Sequence, residues 1–267
     1  METMMIFGLI SAVFMGMTLG IFGAGGSILT VPILVFLMSV PASEATAYSL
    51  FIVGITALFG AYSYYKKDLI RFKIGFIFAI PAFIGVYSVR LMLMPALPEH
   101  IANFGDYSLN KDELVLIVFS VIMIMAAYSM IKPSKADVVG KKKQLNFPLI
   151  AVEGLVVGSV TGFVGAGGGF LIIPALVVLA GLGMKEAVGT SLMIIAFKSI
   201  LGFIGDIQSG MVIDWVLLFE VTGLSIIGAL IGERLSRNLD GDKLKPVFGY
   251  FVLVMGIGML LREVFEG

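Results

Sequence analysis

The sequence predicts an all-α multi-pass membrane protein made of two inverted repeats, each a glycine-broken helical hairpin plus three transmembrane helices. Composition, an internal duplication and the placement of basic loops carry that prediction. Of 267 residues, 59% are hydrophobic and 13% charged, with a mean hydropathy of +1.06. The charged fraction is about half the ~25% of soluble domains.

Crossing the ~30 Å hydrocarbon core as a helix takes about 20 apolar residues. Candidate apolar runs cover 4–37, 43–64, 74–94, 114–130, 147–181, 187–205, 215–232 and 244–261. They lack the alternation over ~10 residues that marks barrel strands. The opening METMMIFGLI has no basic leader region and is read as mature sequence. There is no cysteine, which excludes disulfides and thiol chemistry. Lysine plus arginine equals aspartate plus glutamate at 18 each, so net charge suggests no nucleic-acid partner.

A shift of 142 residues lays GIFGAGGSILTVPILVFL, starting at Gly20, on GFVGAGGGFLIIPALVVL, starting at Gly162. The register continues without a gap, pairing Glu44 with Glu186 and Ser49 with Ser191. The organisation is therefore a first transmembrane repeat over 1–131, a basic linker over 132–148 and a second repeat over 149–267.

The first run sets the topology. A single helix over 4–37 would extend about 51 Å, too long for one crossing and too short for two comfortable ones. Gly23, Gly25 and Gly26 interrupt it and Pro32 follows; Gly165, Gly167, Gly168, Gly169 and Pro174 repeat the arrangement. Glycine eases a turn and proline disrupts helical bonding, so each run reads as a hairpin whose short half-helix returns.

Cytoplasmic loops carry excess lysine and arginine. With both glycine segments returning, Lys66, Lys67, Arg71 and Lys73, the linker Lys132 to Lys143, and Arg234, Arg237, Lys243 and Lys245 all face the cytoplasm. Both termini then lie outside, together with the loops at 95–112 and 206–214. With single crossings instead, Arg234 and Arg237 would face away from the other basic loops. Three full crossings per repeat make the duplication inverted.

These paired glycine segments, each followed by proline, occur together with GMKEAVGTSLMIIAFKSILGFIGD, Gly183 to Asp206. In this combination the chain resembles the TauE/SafE family of sulfite exporters over nearly its whole length. The resemblance implies a secondary exporter or permease of the plasma (inner) membrane. It points to small sulfur-containing or organic anions, such as sulfite or sulfonates, without fixing which. A small polar residue is commoner in the family where Lys198 stands, so the resemblance does not itself assign this lysine.

The residues support an anion site on their own terms. A helix N-terminus presents unpaired N–H groups and partial positive charge, and half-helices beginning after Gly26 and Gly169 would aim such ends inward. The glycines also leave room beside a bound oxygen; the competing reading is close helix packing. An ionisable group at membrane depth faces a cavity or a partner. Lys198 is the leading case, seven residues beyond Ser191 and opposite Thr56 of the first repeat. It serves as a cation for substrate, as counter-charge to a carboxylate, or as a snorkelling side chain.

Ser49, Thr190 and Ser191 offer hydroxyls to oxyanions or to neighbouring helices. Glu44 and Glu186 fit helix-orienting positions, where acids favour a helix start, or a coupling role. Glu153 and Glu220 are candidates to pair with Lys198 or to carry a coupling proton. Arg90 and Glu233 read as interfacial.

Other chemistries find no support. His100 is the only histidine and sits in a polar loop, and Gly165–Gly169 is followed by phenylalanine rather than the lysine of a nucleotide loop. No enzyme activity, cofactor or metal is expected. The expected partners are a small anion, the lipid bilayer and a coupling proton or ion; a homo-oligomer is compatible. The second function class is a membrane subunit for assembly or sensing.

Overall fold

The computed structural model describes residues 2–22, 27–104, 107–131, 146–236 and 241–266. Gly23, Gly25 and Gly26, and most of the basic linker, lie outside the described residues. Among the described residues ten helices appear in chain order. In the first repeat these are α1 (Glu2–Phe22), α2 (Ser27–Leu37), α3 (Ala42–Tyr65), α4 (Phe72–Ala96) and α5 (Lys111–Ile131). The second supplies α6 (Phe147–Val164), α7 (Gly169–Val178), α8 (Met184–Gln208), α9 (Trp215–Ser236) and α10 (Gly241–Glu266). Among the described residues, α3, α4, α6, α8 and α9 are long and apolar enough to cross a membrane.

Local chemistry sets several boundaries. Asn146 caps α6 by accepting from the Leu149 N–H at 3.3 Å, with Pro148 in the first turn where its missing N–H costs nothing. Phe147 and Pro148, the last residues of the sequence-assigned linker, are thus helical. Ile33–Leu37 continue α2 as a wide π turn after Pro32, and Val89–Leu93 form a π turn within α4 just before Pro95. A proline cannot donate to the carbonyl four residues back, and a π turn is one way for a helix to absorb the mismatch. The polar loop before α5 contains an antiparallel β hairpin, His100–Phe104 with Tyr107–Asn110.

The hairpin at Gly165 follows from packing directions. A Cβ on Gly158 would lie 2.1 Å from the Ala82 carbonyl, and Gly162 abuts Val86, so α6 runs parallel to α4. Gly75 abuts Met193 and Thr190, while Gly205 abuts Arg90, so α8 also runs parallel to α4. Two parallel helices in succession require the ten-residue α7 to bring the chain back.

Side-chain contacts agree. Lys73 Nζ lies 5.2 Å from the Phe147 ring centroid, Arg71 pairs with Glu186, and Lys67 Nζ lies 3.1 Å from Glu233 Oε1. The starts of α6 and α8 and the end of α9 therefore meet the basic 66–73 segment at one end. At the other end, the Ser43 N–H donates to Asp112 Oδ1 at 2.8 Å and the Asp214 N–H to the Tyr48 hydroxyl at 2.8 Å.

α3 and α8 form the interior pair and bury most of their surface, whereas α4, α6 and α9 leave much of theirs exposed. They run antiparallel: Gly54 abuts Ile200, Gly60 abuts Leu192 and Gly189 abuts Tyr64. Exposed Val152, Leu155 and Val156 on α6, with Val216, Phe219 and Ile227 on α9, suit a hydrocarbon surroundings.

The sequence placed Arg90 at a span end as an interfacial residue; the structure corrects this, burying it completely at 0% exposure. Apolar chain continues past it to Met94, and its π turn packs against Gly205. Glu233 is half-buried, accepting from the Ser63 hydroxyl and Lys67.

Close approach between α4 and α6 depends on Gly158. Gly158→Ala is expected to lose about 1–3 kcal/mol by overpacking, whereas Gly223→Ala, with nothing within 4 Å, stays within about 0.5 kcal/mol. Unfolding in detergent compares them; equal losses would contradict the packing assignment.

Candidate functional site

The polar interior gathers around the turn between α6 and α7. Gly165, Gly167 and Gly168 have φ of 75°, 65° and 76°, the left-handed region that side chains disfavour. The Gly165 N–H donates to Thr161 O at 2.8 Å, closing α6. The first repeat holds the turn from outside: Ser49 Oγ donates to Gly165 O at 2.7 Å, and Ser27 Oγ donates to Ala166 O. Among the described residues, the N–H groups of Gly167 and Gly169 have no protein acceptor.

The room expected beside these glycines is filled in this structure. A Cβ on Gly165 would meet the Thr46 backbone at 2.4 Å, one on Gly167 the Val53 side chain at 2.6 Å, and one on Gly168 the Thr161 methyl at 2.3 Å. The turn is packed shut, with Gly165 through Gly169 all buried.

Two cations reach this packed tip through the same threonines. Lys198 is 0% exposed and its Nζ donates to Thr161 Oγ1 at 2.8 Å; Thr161 in turn donates to Gly158 O at 3.2 Å. Arg90 donates from Nη1 to Thr46 Oγ1 at 3.1 Å and faces Asp206 Oδ1 at 3.4 Å. Asp206 is only 2% exposed. Arg90 Nε and Nη2 and Asp206 Oδ2 are buried without a hydrogen-bond partner. Arg90 and Lys198 are close enough to interact electrostatically.

Among the described residues, no carboxylate lies within 4.0 Å of Lys198. The expected pairing with Glu153 or Glu220 is therefore not made: Glu153 is half-buried on α6 and Glu220 exposed on α9. The cluster holds two bases and one acid. With all three ionised it carries a positive excess where solvation is poor, and an anion can offset that excess.

The other residues singled out in the sequence lie elsewhere. Thr190 Oγ1 accepts from the Arg71 N–H at 3.0 Å, and Ser191 Oγ donates to Val188 O of its own helix at 2.8 Å. Glu186, in the first turn of α8, accepts from the Gly183 N–H at 3.3 Å and pairs with Arg71, whose guanidinium it holds above its ordinary pKa. Glu44 lies in the first turn of α3, half-buried.

Sequence reasoning missed Arg90, Asp206, Thr46 and Thr161. Their repeat counterparts under the same 142-residue shift are Gly232, Tyr64, Val188 and Leu19, so duplication gave no signal. The usable signal was an arginine followed by LMLM rather than by polar residues.

The chain matches the profile of the sulfite exporter TauE/SafE family over residues 8–259. It is 28% identical over 248 residues to the probable membrane transporter protein YdhB of Bacillus subtilis, covering 92% of this chain and 96% of the relative. A probable membrane transporter protein of Haemophilus influenzae is 26% identical over 282 residues, covering 98% and 100%. One of Xylella fastidiosa is 25% identical over 254 residues, covering 93% and 92%. No solved structure matches significantly.

The tip tests directly by substitution. Gly168→Ala combines a left-handed backbone with the Thr161 contact and is expected to lose about 2–5 kcal/mol. Gly181→Ala, at φ 61° with nothing within 4 Å, is expected to lose about 1–2 kcal/mol. Thermal unfolding showing Gly168→Ala no worse than Gly181→Ala would contradict the packed tip.

Proposed function

The chain belongs to the TauE/SafE family of membrane transporters, and on that premise we propose that it moves a small sulfur-containing or organic anion across the plasma membrane by secondary transport. The observation that carries this reading is the pair of buried bases at the glycine tip, Arg90 facing Asp206 and Lys198 bonded to Thr161 with no carboxylate within 4.0 Å among the described residues. Charge at membrane depth is costly, and a cluster that uses an anion as its missing counter-charge has a reason to retain two cations.

The anion site is formed by the N-terminal end of α7, the tip Gly165–Gly169 and Lys198. The corresponding end after Gly26 completes it from the first repeat. Ser49 holds the tip shut through its hydrogen bond to Gly165 O. Its hydroxyl and the N–H groups of Gly167 and Gly169 turn to substrate oxygens as the tip loosens. Arg71–Glu186 fixes the start of α8 while this happens. A coupling proton is carried by Glu153, Glu220 or Glu44, which lie within α6, α9 and α3.

The two halves form an inverted duplication with the basic loops cytoplasmic and both termini outside. Supporting this are the antiparallel run of α3 and α8, which occupy matching repeat positions, and the meeting of Lys67, Arg71 and Lys73 with the second repeat at one end. In pseudo-symmetric transporters of this kind the substrate sits near the midplane between repeats, which is where a hairpin tip reaches.

Reconstituted protein is expected to exchange labelled sulfite or a small sulfonate, with Lys198→Met lowering flux at subsaturating substrate at least about tenfold. Full flux in Lys198→Met, or no flux of any such anion in wild type, would contradict the reading. Because the chain has no cysteine, Lys67→Cys and Val212→Cys give clean probes of sidedness. An impermeant maleimide on intact cells is expected to label only Val212→Cys; labelling of Lys67→Cys would overturn the orientation.

A further inference from the structure

We infer that Arg90 is a second anion-binding residue, and that the edge formed by its Nε and Nη2 takes one oxyanion in a two-oxygen grip. The inference rests on the anion-transport reading and deepens it by naming a second contact and the geometry of the cargo.

Burial and hydrogen bonding single out this edge. Arg90 is fully buried, and its Nη1 is already engaged by Thr46 Oγ1 at 3.1 Å and Asp206 Oδ1 at 3.4 Å. Nε and Nη2 have no partner. A buried charged donor left unmatched is costly, and here two such donors lie on the same side of one rigid plane. Guanidinium Nε and Nη2 present parallel N–H groups that match two oxygens of a carboxylate, sulfonate or sulfite, and a lysine ammonium does not reproduce that fork.

Asp206 does not consume the fork. It approaches Nη1, and its own Oδ2 is also unpartnered. Asp206 and Thr46 therefore act as positioning residues that fix the guanidinium plane from the far side. Thr46 also packs its backbone into the space of a Gly165 Cβ, so the arginine is tied to the glycine tip that Lys198 reaches through Thr161. The two cations differ in what they select: Lys198 supplies point charge, whereas Arg90 favours an anion bearing two coplanar oxygens over a monatomic one.

The test uses the full-length protein in detergent at constant ionic strength, with potassium methanesulfonate, acetate and bromide as probes. Titration calorimetry gives affinities, and unfolding temperature gives ligand-induced shifts. Wild type is expected to bind methanesulfonate or acetate more tightly than bromide, and Arg90→Lys to shrink that ratio at least about tenfold. A ratio unchanged in Arg90→Lys would overturn the inference.

Asp206→Asn gives a second route if Arg90→Lys fails to fold. It removes the internal negative charge beside the fork, so the oxyanion-induced rise in unfolding temperature is expected to exceed that of wild type. An equal or smaller rise would count against the fork. Binding that is lost in Lys198→Met but unaffected in Arg90→Lys would sink this inference alone. Wild type that binds none of the three anions would sink the transport reading as well.

Discussion

The arrangement depends on one constraint: charge removed from water must find compensation nearby. Desolvating an ion costs several kcal/mol even after relaxation, and one partner rarely repays it in full. Lys198 meets Thr161, Arg90 meets Thr46 and Asp206, and no carboxylate lies within ion-pair distance of Lys198 among the described residues. The half-helix, the glycine tip and the inter-repeat contacts all bear on how that unbalanced charge is held.

The helices meet this constraint by bringing backbones close. Glycines at 54, 158, 162 and 205 let α3, α4, α6 and α8 pack tightly enough to seal the interior. Because α6 and α8 run the same way, α7 carries the chain back from the tip, and the tip meets Ser49 through Gly165, Ser27 through Ala166 and Thr161 through Gly168. Small residues at membrane helix contacts do this commonly. Here the same residues also decide which polar groups face each other.

Sequence exposed the architecture more fully than the site. Gly165–Gly169 and Pro174 were legible as a hairpin because breaking residues have few uses inside an apolar run, and because Gly23–Pro32 repeats them. Lys198 was legible because nothing apolar explains a lysine at mid-span. Arg90 and Asp206 were not, since each lies near a span end where a charge looks ordinary. Only the three-dimensional pairing of α4 with α8 brings them together. The glycine tip misled in one respect: absence of a side chain suggested open space, but Thr46 and Val53 of α3 and Thr161 of α6 fill it. The hairpin at His100–Asn110 gave no clear alternating pattern against its polar surroundings.

The proposed position of the cargo anion is the buried excess of positive charge. A structure determined with a selenium-containing oxyanion, located by its anomalous scattering, tests it most directly. A selenium peak is expected between Arg90 and Lys198 at the Gly165–Gly169 tip. A well-ordered peak elsewhere in the bundle, with Arg90 and Lys198 still bound only to their threonines and Asp206, would contradict it.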